Sequence, residues 1–544
     1  MRSLHGWPAR TRVLAVITAF VLLATGCSSV DSDPDASDTG ANQQEGGQTV
    51  GGTPITDDFD PDAVLSWGYT IGPSSMDPHR GSSGFDQNWL FPAYDRLIYM
   101  SPEGKPEPML ATEWELNEAG DAIDMKLRED VVFHDGTELD AEAVKRSLDR
   151  ARSDPQSNVA PLLTAVESVD VTGPLAIRIN LSGPAAALIP NLADRAGMII
   201  SPTALENPDL DRMPVGAGPY KVSEYRQGDR VIYTKFEDYW DPEIQRTAGL
   251  EYRIMADDET RLNAIRAGEV NIGIVRESQI PSALEQGMNI LDGPRNSYYS
   301  FALNSAIAPF DEPLVRRAIN HAINRDEIGN GILRGYCTPT VQPWPATSWA
   351  YDEELGDGLG KGEYGEHNPE LAKKLLAEAG YPDGITFDTI VANITGYVTI
   401  AEGLQAQLAQ AGITMNIRQV EAAQSNEIFF IEKSVPSAVL SYEPTMDESG
   451  PLVTHYGADA LGNPGGLTSP KLEQLFDAQN KEITPEDRAP IFNDIMTELM
   501  AIDMHEMVLC MRRRQEVFQP GLQGLAVYPT GSRDYRGVAV SSDG

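Results

Sequence analysis

Seven histidines and three cysteines are the side chains from which a metal site or a thiol nucleophile would have to be assembled in this chain of 544 residues. The histidines stand at positions 5, 79, 134, 321, 367, 455 and 505, and no two lie three to five residues apart. One helix or loop delivers two imidazoles to one ion at such spacings, and closely spaced cysteine pairs are missing too. No zinc or nickel site is therefore encoded locally, and a lone histidine such as His134, beside Asp135, reads as a satisfied structural residue. Acyl-transfer chemistry has no Gly-x-Ser-x-Gly turn to present a nucleophile. Gly216-Ala217-Gly218-Pro219 lacks the Gly-Lys-Ser/Thr ending of a phosphate-binding loop, and Pro219 removes a backbone donor that such a loop uses. It reads as a turn. The acids are too many and too unpatterned to nominate a general acid–base pair. What remains is binding without reaction, with no catalytic residue, no metal and no cofactor.

Cys27 is the exception. Arg2, Arg10 and Arg12 form a basic start, Val13 to Ala24 carries no charge, and Leu23-Ala24-Thr25-Gly26-Cys27 ends the run on small residues. A spanning helix needs about 20 apolar residues, so a run of about 13 reads as a secretory signal, routed generally because the arginines are not paired. The ending resembles the bacterial lipobox, which implies that residues 1–26 are removed and that Cys27 carries lipid as the first mature residue. Residues 28–60 are Ser, Asp, Gly, Gln, Thr and Pro with almost no large apolar side chain, which cannot bury a core. Such a tether of roughly 33 residues holds its cargo on the order of 30 Å from the lipid.

Cleavage would remove three arginines and no acid, taking the formal charge from −39 to −42. Phosphate backbones repel such a chain, which excludes nucleic acid as a partner. The acidity reads first as solubility in salty surroundings. Roughly 485 residues follow the tether, enough for two or three domains. Cys337 and Cys510 are the remaining thiols, a candidate disulfide in an oxidising compartment or else two buried free thiols.

The elements that must position any site alternate between strand and helix, which points to an α/β class. Asn368 and Pro369 start a helix with Leu371, Leu375 and Leu376 along one side and Gly380 at its stop. Asp140 and Asp257 precede two further helices, and Pro313 a fourth, restarted at Asn324 to Asp326. The clearest strands are Val64 to Tyr69, Ala176 to Leu181, Val231 to Phe236, Val270 to Val275, Ser300 to Asn304 and Met415 to Val420.

A series of short motifs then appears in order. They include Met76-Asp77-Pro78, Pro108 to Trp114, Leu127-Arg128, Val131 to Thr137 with Phe133-His134-Asp135-Gly136-Thr137 inside it, Gly216 to Tyr220, Tyr239-Trp240, Ala267 to Ile272, Arg316 to Ile319 and Ala372 to Pro382. Together they resemble solute-binding protein family 5, the bacterial peptide, oligopeptide and nickel binding proteins, over roughly residues 64 to 530. Each motif alone reads as scaffold, with Trp114, Phe133 and Trp240 in cores and Gly136 and Gly218 in turns.

The resemblance implies a two-lobed periplasmic-binding-protein fold, α/β, with an extra inserted domain. Lobe 1 is expected over 61–105, 213–297 and 511–544, the accessory domain over 106–212 and lobe 2 over 298–510, with solute held between lobes joined by crossing strands. It implies a non-enzymatic, monomeric, lipid-anchored subunit that delivers a peptide or other small polar solute to the permease of an ATP-driven importer. A solute sensor serving a receptor is the alternative, with a secreted hydrolase far behind. The residues expected to meet the solute are Tyr69, Tyr298, Asn304, Trp344, Asn393, Tyr397, Tyr442 and Asp447. Asp447 stands nearest the place where the family's peptide binders pair an aspartate with the ligand ammonium. Dipeptide binders of the family hold the carboxylate with an arginine just before the helix expected here near Ile400. Val391 to Tyr397 contains none, which turns the expectation toward longer or modified peptides or another polar solute. The resemblance also places Cys337, Cys510 and the basic run Arg512 to Arg514 near the passage between lobes.

Overall fold

The computed structural model describes residues 48–82, 85–183, 185–359, 364–421, 424–425 and 427–542. Cys27 and the signal and tether segments, apart from the tether's last residues, lie outside them.

Local chemistry sets the helices. Asp140 accepts from the backbone N–H of Ala143 and starts Ala141–Ser153, and Asn368 accepts from Leu371 to start Pro369–Glu378. Each cap satisfies an orphan donor of a first turn, worth about 1 kcal/mol. Gly380 takes φ +93° beyond the second helix, where a side chain would be strained. The helix expected near Ile400 begins earlier, at Thr395, and runs to Gln410. Its N-cap, Ile394, makes no side-chain cap hydrogen bond, so no capping residue marked this start in the sequence.

Twelve strands form one mixed sheet. From one edge its main path runs Ile413–Val420, Ile385–Ala392, Ser437–Tyr442, Asn289–Leu303, Glu506–Phe518, Ile272–Ile274, Val64–Tyr69, Gly249–Ile254, Arg230–Lys235 and Tyr220–Arg226. Two strands cross its centre. Asn289–Leu303 and Glu506–Phe518 pair antiparallel with each other, and each contributes one half to each side of the molecule. Near Phe518 the strand Glu506–Phe518 pairs with Ile272–Ile274, and near Leu303 the strand Asn289–Leu303 pairs with Ser437–Tyr442. This is a two-lobed fold whose lobes share two strands. Ser300 to Asn304, the expected short strand, is thus the end of a much longer one. Gly293-Pro294 reads as a stop by composition, but it sits where the register between the crossing strands shifts, a place that tolerates a missing backbone donor.

Each side has its own core. Trp67, Trp89, Tyr233 and Tyr252 are buried together on one, Phe301, Phe310, Phe387 and Leu404 on the other, and a further cluster gathers Trp344, Phe492 and Leu499. Full burial of each such side chain contributes about 1.5–3 kcal/mol. Residues 111–181 form a separate four-stranded antiparallel sheet that packs with helix Ala141–Ser153 around Phe133, Val144 and Leu148.

The recurring motifs explain themselves as joints. The His134 ring bonds the Gly218 carbonyl at 2.9 Å, and Lys221 donates to the His134 carbonyl at 2.8 Å. Burial pushes His134 down to about 4, which keeps it neutral. A Cβ on Gly218 would lie 2.6 Å from backbone atoms of Pro92 and Ala93, so glycine is required by close approach. Trp240 donates to Asp95 at 2.7 Å and lies under Arg128, while Arg536 reaches the same Asp95 from the chain's end.

Candidate functional site

Open α/β sheets bind ligands beyond the carboxyl ends of their parallel strands. Ile385–Ala392, Ile413–Val420 and Ser437–Tyr442 run parallel, so their carboxyl ends share one edge. Tyr298 pairs with Tyr442 and also with Met511, which brings the middle of both crossing strands to that edge. There the register shift spans Arg295, Asn296 and Ser297, opposite Arg512.

Two guanidinium groups converge on one carboxylate at this point. Arg295 Nη2 donates to Glu443 Oε2 at 2.8 Å, and Arg512 Nη1 donates to Glu443 Oε1. Arg512 also donates to the Ser297 hydroxyl at 3.2 Å and lies 5.1 Å above the Tyr299 ring. Although burial opposes it, the nearby Glu443 charge holds Arg512 above its ordinary value. Tyr299 meets Tyr397 edge to face, and the Tyr397 hydroxyl is 2.5 Å from Ser441 Oγ. Tyr397, Ser441 and Glu443 line a 270 Å³ cavity together with Ile394, Phe430 and Leu440, so its wall mixes polar and apolar groups.

A second arginine group stands beside the first. Arg514 and Arg533 both bind Glu516, which is fully buried and also accepts from Tyr535. Burial works against this carboxylate, yet Arg514 and Arg533 hold it down to about 2. Arg533 lies 5.0 Å above the Tyr69 ring, at the carboxyl end of Val64–Tyr69. Arg295 feels Arg512, Arg533 and Arg514, and burial together with their repulsion pushes it down to about 10.

The structure sorts the expected contact residues into two groups. Tyr397 lines the cavity and Tyr69 lies beneath Arg533, while Asn393 is exposed at the end of its strand. Trp344, Tyr298, Tyr442 and Asn304 are buried, and Asp447 lines a second cavity with Asn296, Glu448 and Arg488. Trp344 is fully buried against Phe492 and donates to the Glu448 carbonyl. Tyr298 and Tyr442 stack on each other in the interior, and Asn304 pins the Lys433 carbonyl. Asp447 already has a cationic partner. Its two oxygens accept from Arg488 at 2.6 and 2.8 Å, and Ser449 bonds it as well. Oδ1 carries most of these bonds, and the Arg488 pair already compensates the buried charge. The meeting of Arg295, Arg512 and Glu443 was not visible in the sequence because they come from segments far apart in the chain. The visible signal was Arg512-Arg513-Arg514 in an apolar strand of an acidic protein.

Cys337 and Cys510 are joined in a disulfide, which fastens the short strand Cys337–Pro339 to the crossing strand beside Arg512.

The comparisons agree with this architecture. The model of bacterial extracellular solute-binding proteins, family 5 Middle, matches residues 105–446. The glutathione-binding protein GsiB of Escherichia coli K12 is 32% identical over 372 residues, covering 67% of this chain and 70% of that protein. HbpA2 from Haemophilus parasuis superposes with a TM-score of 0.79 at 22% identity, covering 88% of this chain and 100% of the other. DppA from Helicobacter pylori, solved with the peptide STSA, gives a TM-score of 0.67 at 24% identity, covering 89% and 99%. With two lobes sharing two crossing strands and a family match over more than half of its length, this chain belongs to the bacterial extracellular solute-binding proteins of family 5.

Proposed function

We propose that this protein captures a peptide-like solute between its lobes and presents it to the membrane permease of an ATP-driven importer, working as a monomer tethered through lipid on Cys27. The observation that carries the reading is the convergence of Arg295 and Arg512 on Glu443 at the shift in register of the crossing strands, beside a 270 Å³ cavity that Glu443 and Tyr397 line. A binding site at the joint is where differential affinity matters. A solute touching both lobes stabilises the closed arrangement by the contacts it gains there, and a permease can then tell closed from open. No reaction is required. The likeness to a glutathione-binding protein makes glutathione the first solute to try, and tripeptides and tetrapeptides the next.

Calorimetry of the soluble protein, without residues 1–27, tests this. Saturable one-to-one binding of glutathione or a short peptide, with a negative heat-capacity change from apolar burial, is expected. Absence of binding across glutathione and a broad set of short peptides would refute the peptide reading. The anchor is tested separately by metabolic labelling with a fatty-acid probe, which should mark the wild type and leave Cys27→Ala unmarked.

A further inference from the structure

Glu443 is held differently from the other carboxylate of this cluster. Glu516 is fully buried and fixed by Arg514, Arg533 and Tyr535, whereas the Glu443 side chain is 55% exposed in the loop after its strand. The two arginines that grip it are firmer: the Arg295 and Arg512 side chains are 17% and 27% exposed and stand on the crossing strands. Arg512 is further fixed by Ser297 and by the Tyr299 ring. Arg295 Nε is buried without a hydrogen-bond partner, so the site has a donor that Glu443 leaves unfilled. Four guanidinium groups here face two carboxylates, a local cationic excess inside a protein of net charge −39. Glu443 also lines the adjoining cavity, next to Ile394, Phe430 and Leu440.

We propose that Arg295 and Arg512 bind a carboxylate of the solute, and that Glu443 occupies their place as an internal stand-in until the solute displaces it. This deepens the peptide reading and rests on it: the solute class becomes a peptide or peptide-like acid with a free carboxylate and an apolar or small side chain for the adjoining cavity. Exchange of one carboxylate for another leaves the buried charge balance unchanged, so the arginines are never left unpaired in either state. A neutral or cationic solute can make no such exchange, which gives selectivity for acids. Glu443 also lowers apparent affinity, because its bound fraction must be released first.

The test uses glutathione mixed with a pool of synthetic tripeptides to pentapeptides, and the same mixture after methyl esterification. Each is incubated with the soluble protein, and retained species are read by mass spectrometry. Retention from the free-acid mixture, loss from the ester mixture, and about tenfold stronger retention by Glu443→Gln are expected. Arg512→Gln should retain nothing above background, with Arg295→Gln as the second variant should the first not fold. Equal retention from both mixtures would overturn the carboxylate assignment while leaving the peptide reading intact. Loss of retention in Glu443→Gln would overturn the stand-in role and make Glu443 a direct contact. Retention from neither mixture would overturn the peptide reading and this inference with it.

Discussion

Arg295 and Arg512 stand on different crossing strands, yet their guanidinium groups close on opposite oxygens of one carboxylate, Glu443. The pairing depends on the register shift that takes Arg295 out of the regular ladder. On the proposed reading, a hinge that bends at that point would move both arginines with the lobes and so couple solute binding to closure.

Asp447→Asn should cost about 3 kcal/mol of stability, because it leaves Arg488, whose side chain is 2% exposed, without its buried counter-charge. Urea unfolding followed by circular dichroism checks this. Solute affinity measured on the folded fraction should change by less than about threefold, roughly 0.6 kcal/mol. A stable variant with abolished binding would restore Asp447 as a contact.

Glu448 makes stability depend on pH. Burial pushes its carboxyl up to about 7 from 4.5, with Asp447 adding to the rise and Ser348 and Asn296 opposing it. A carboxyl raised in the folded state favours folding when protonated. Its contribution is present in full below about 4.5 and is lost as pH rises through about 7. Glu448→Gln should therefore gain on the order of 2 kcal/mol over the wild type at pH 8 and show a flatter stability profile between pH 5 and 7. Equal slopes in the two proteins would exclude this.

The disulfide closes a loop with a sequence separation of 173. Reduction, or the pair Cys337→Ala and Cys510→Ala, should lower stability by about 2–4 kcal/mol, largely by freeing the unfolded chain. Thiol titration of the unfolded, unreduced protein should find neither thiol free. Two reactive thiols there would contradict the pairing.

Much of the scaffold was legible because its signals are local. Asp140, Asn368 and Gly380 mark helix ends within a few residues, and Val64 to Tyr69 is a short run with large apolar side chains, buried after Val64. The site was legible only in part, since it is assembled across the chain. Arg295 and Glu443 are 148 positions apart, and no local pattern joins them. Strand alternation did hold a clue: Arg512 and Arg514 share one face while Arg513 points to the other, where it pairs with Asp292. Large aromatic residues are ambiguous for a physical reason. Trp344, Tyr298 and Tyr442 are the kind of side chain that both ligand sites and cores use, and here all three are buried.

Small-molecule mass spectrometry of the freshly purified soluble protein, released by denaturation, tests the central claim most directly. The account predicts a peptide-like acid at close to one equivalent, or, from an emptied protein, uptake of one equivalent from the free-acid peptide mixture. A protein that releases nothing and takes up no species from that mixture, or that releases a solute without peptide character, would contradict it.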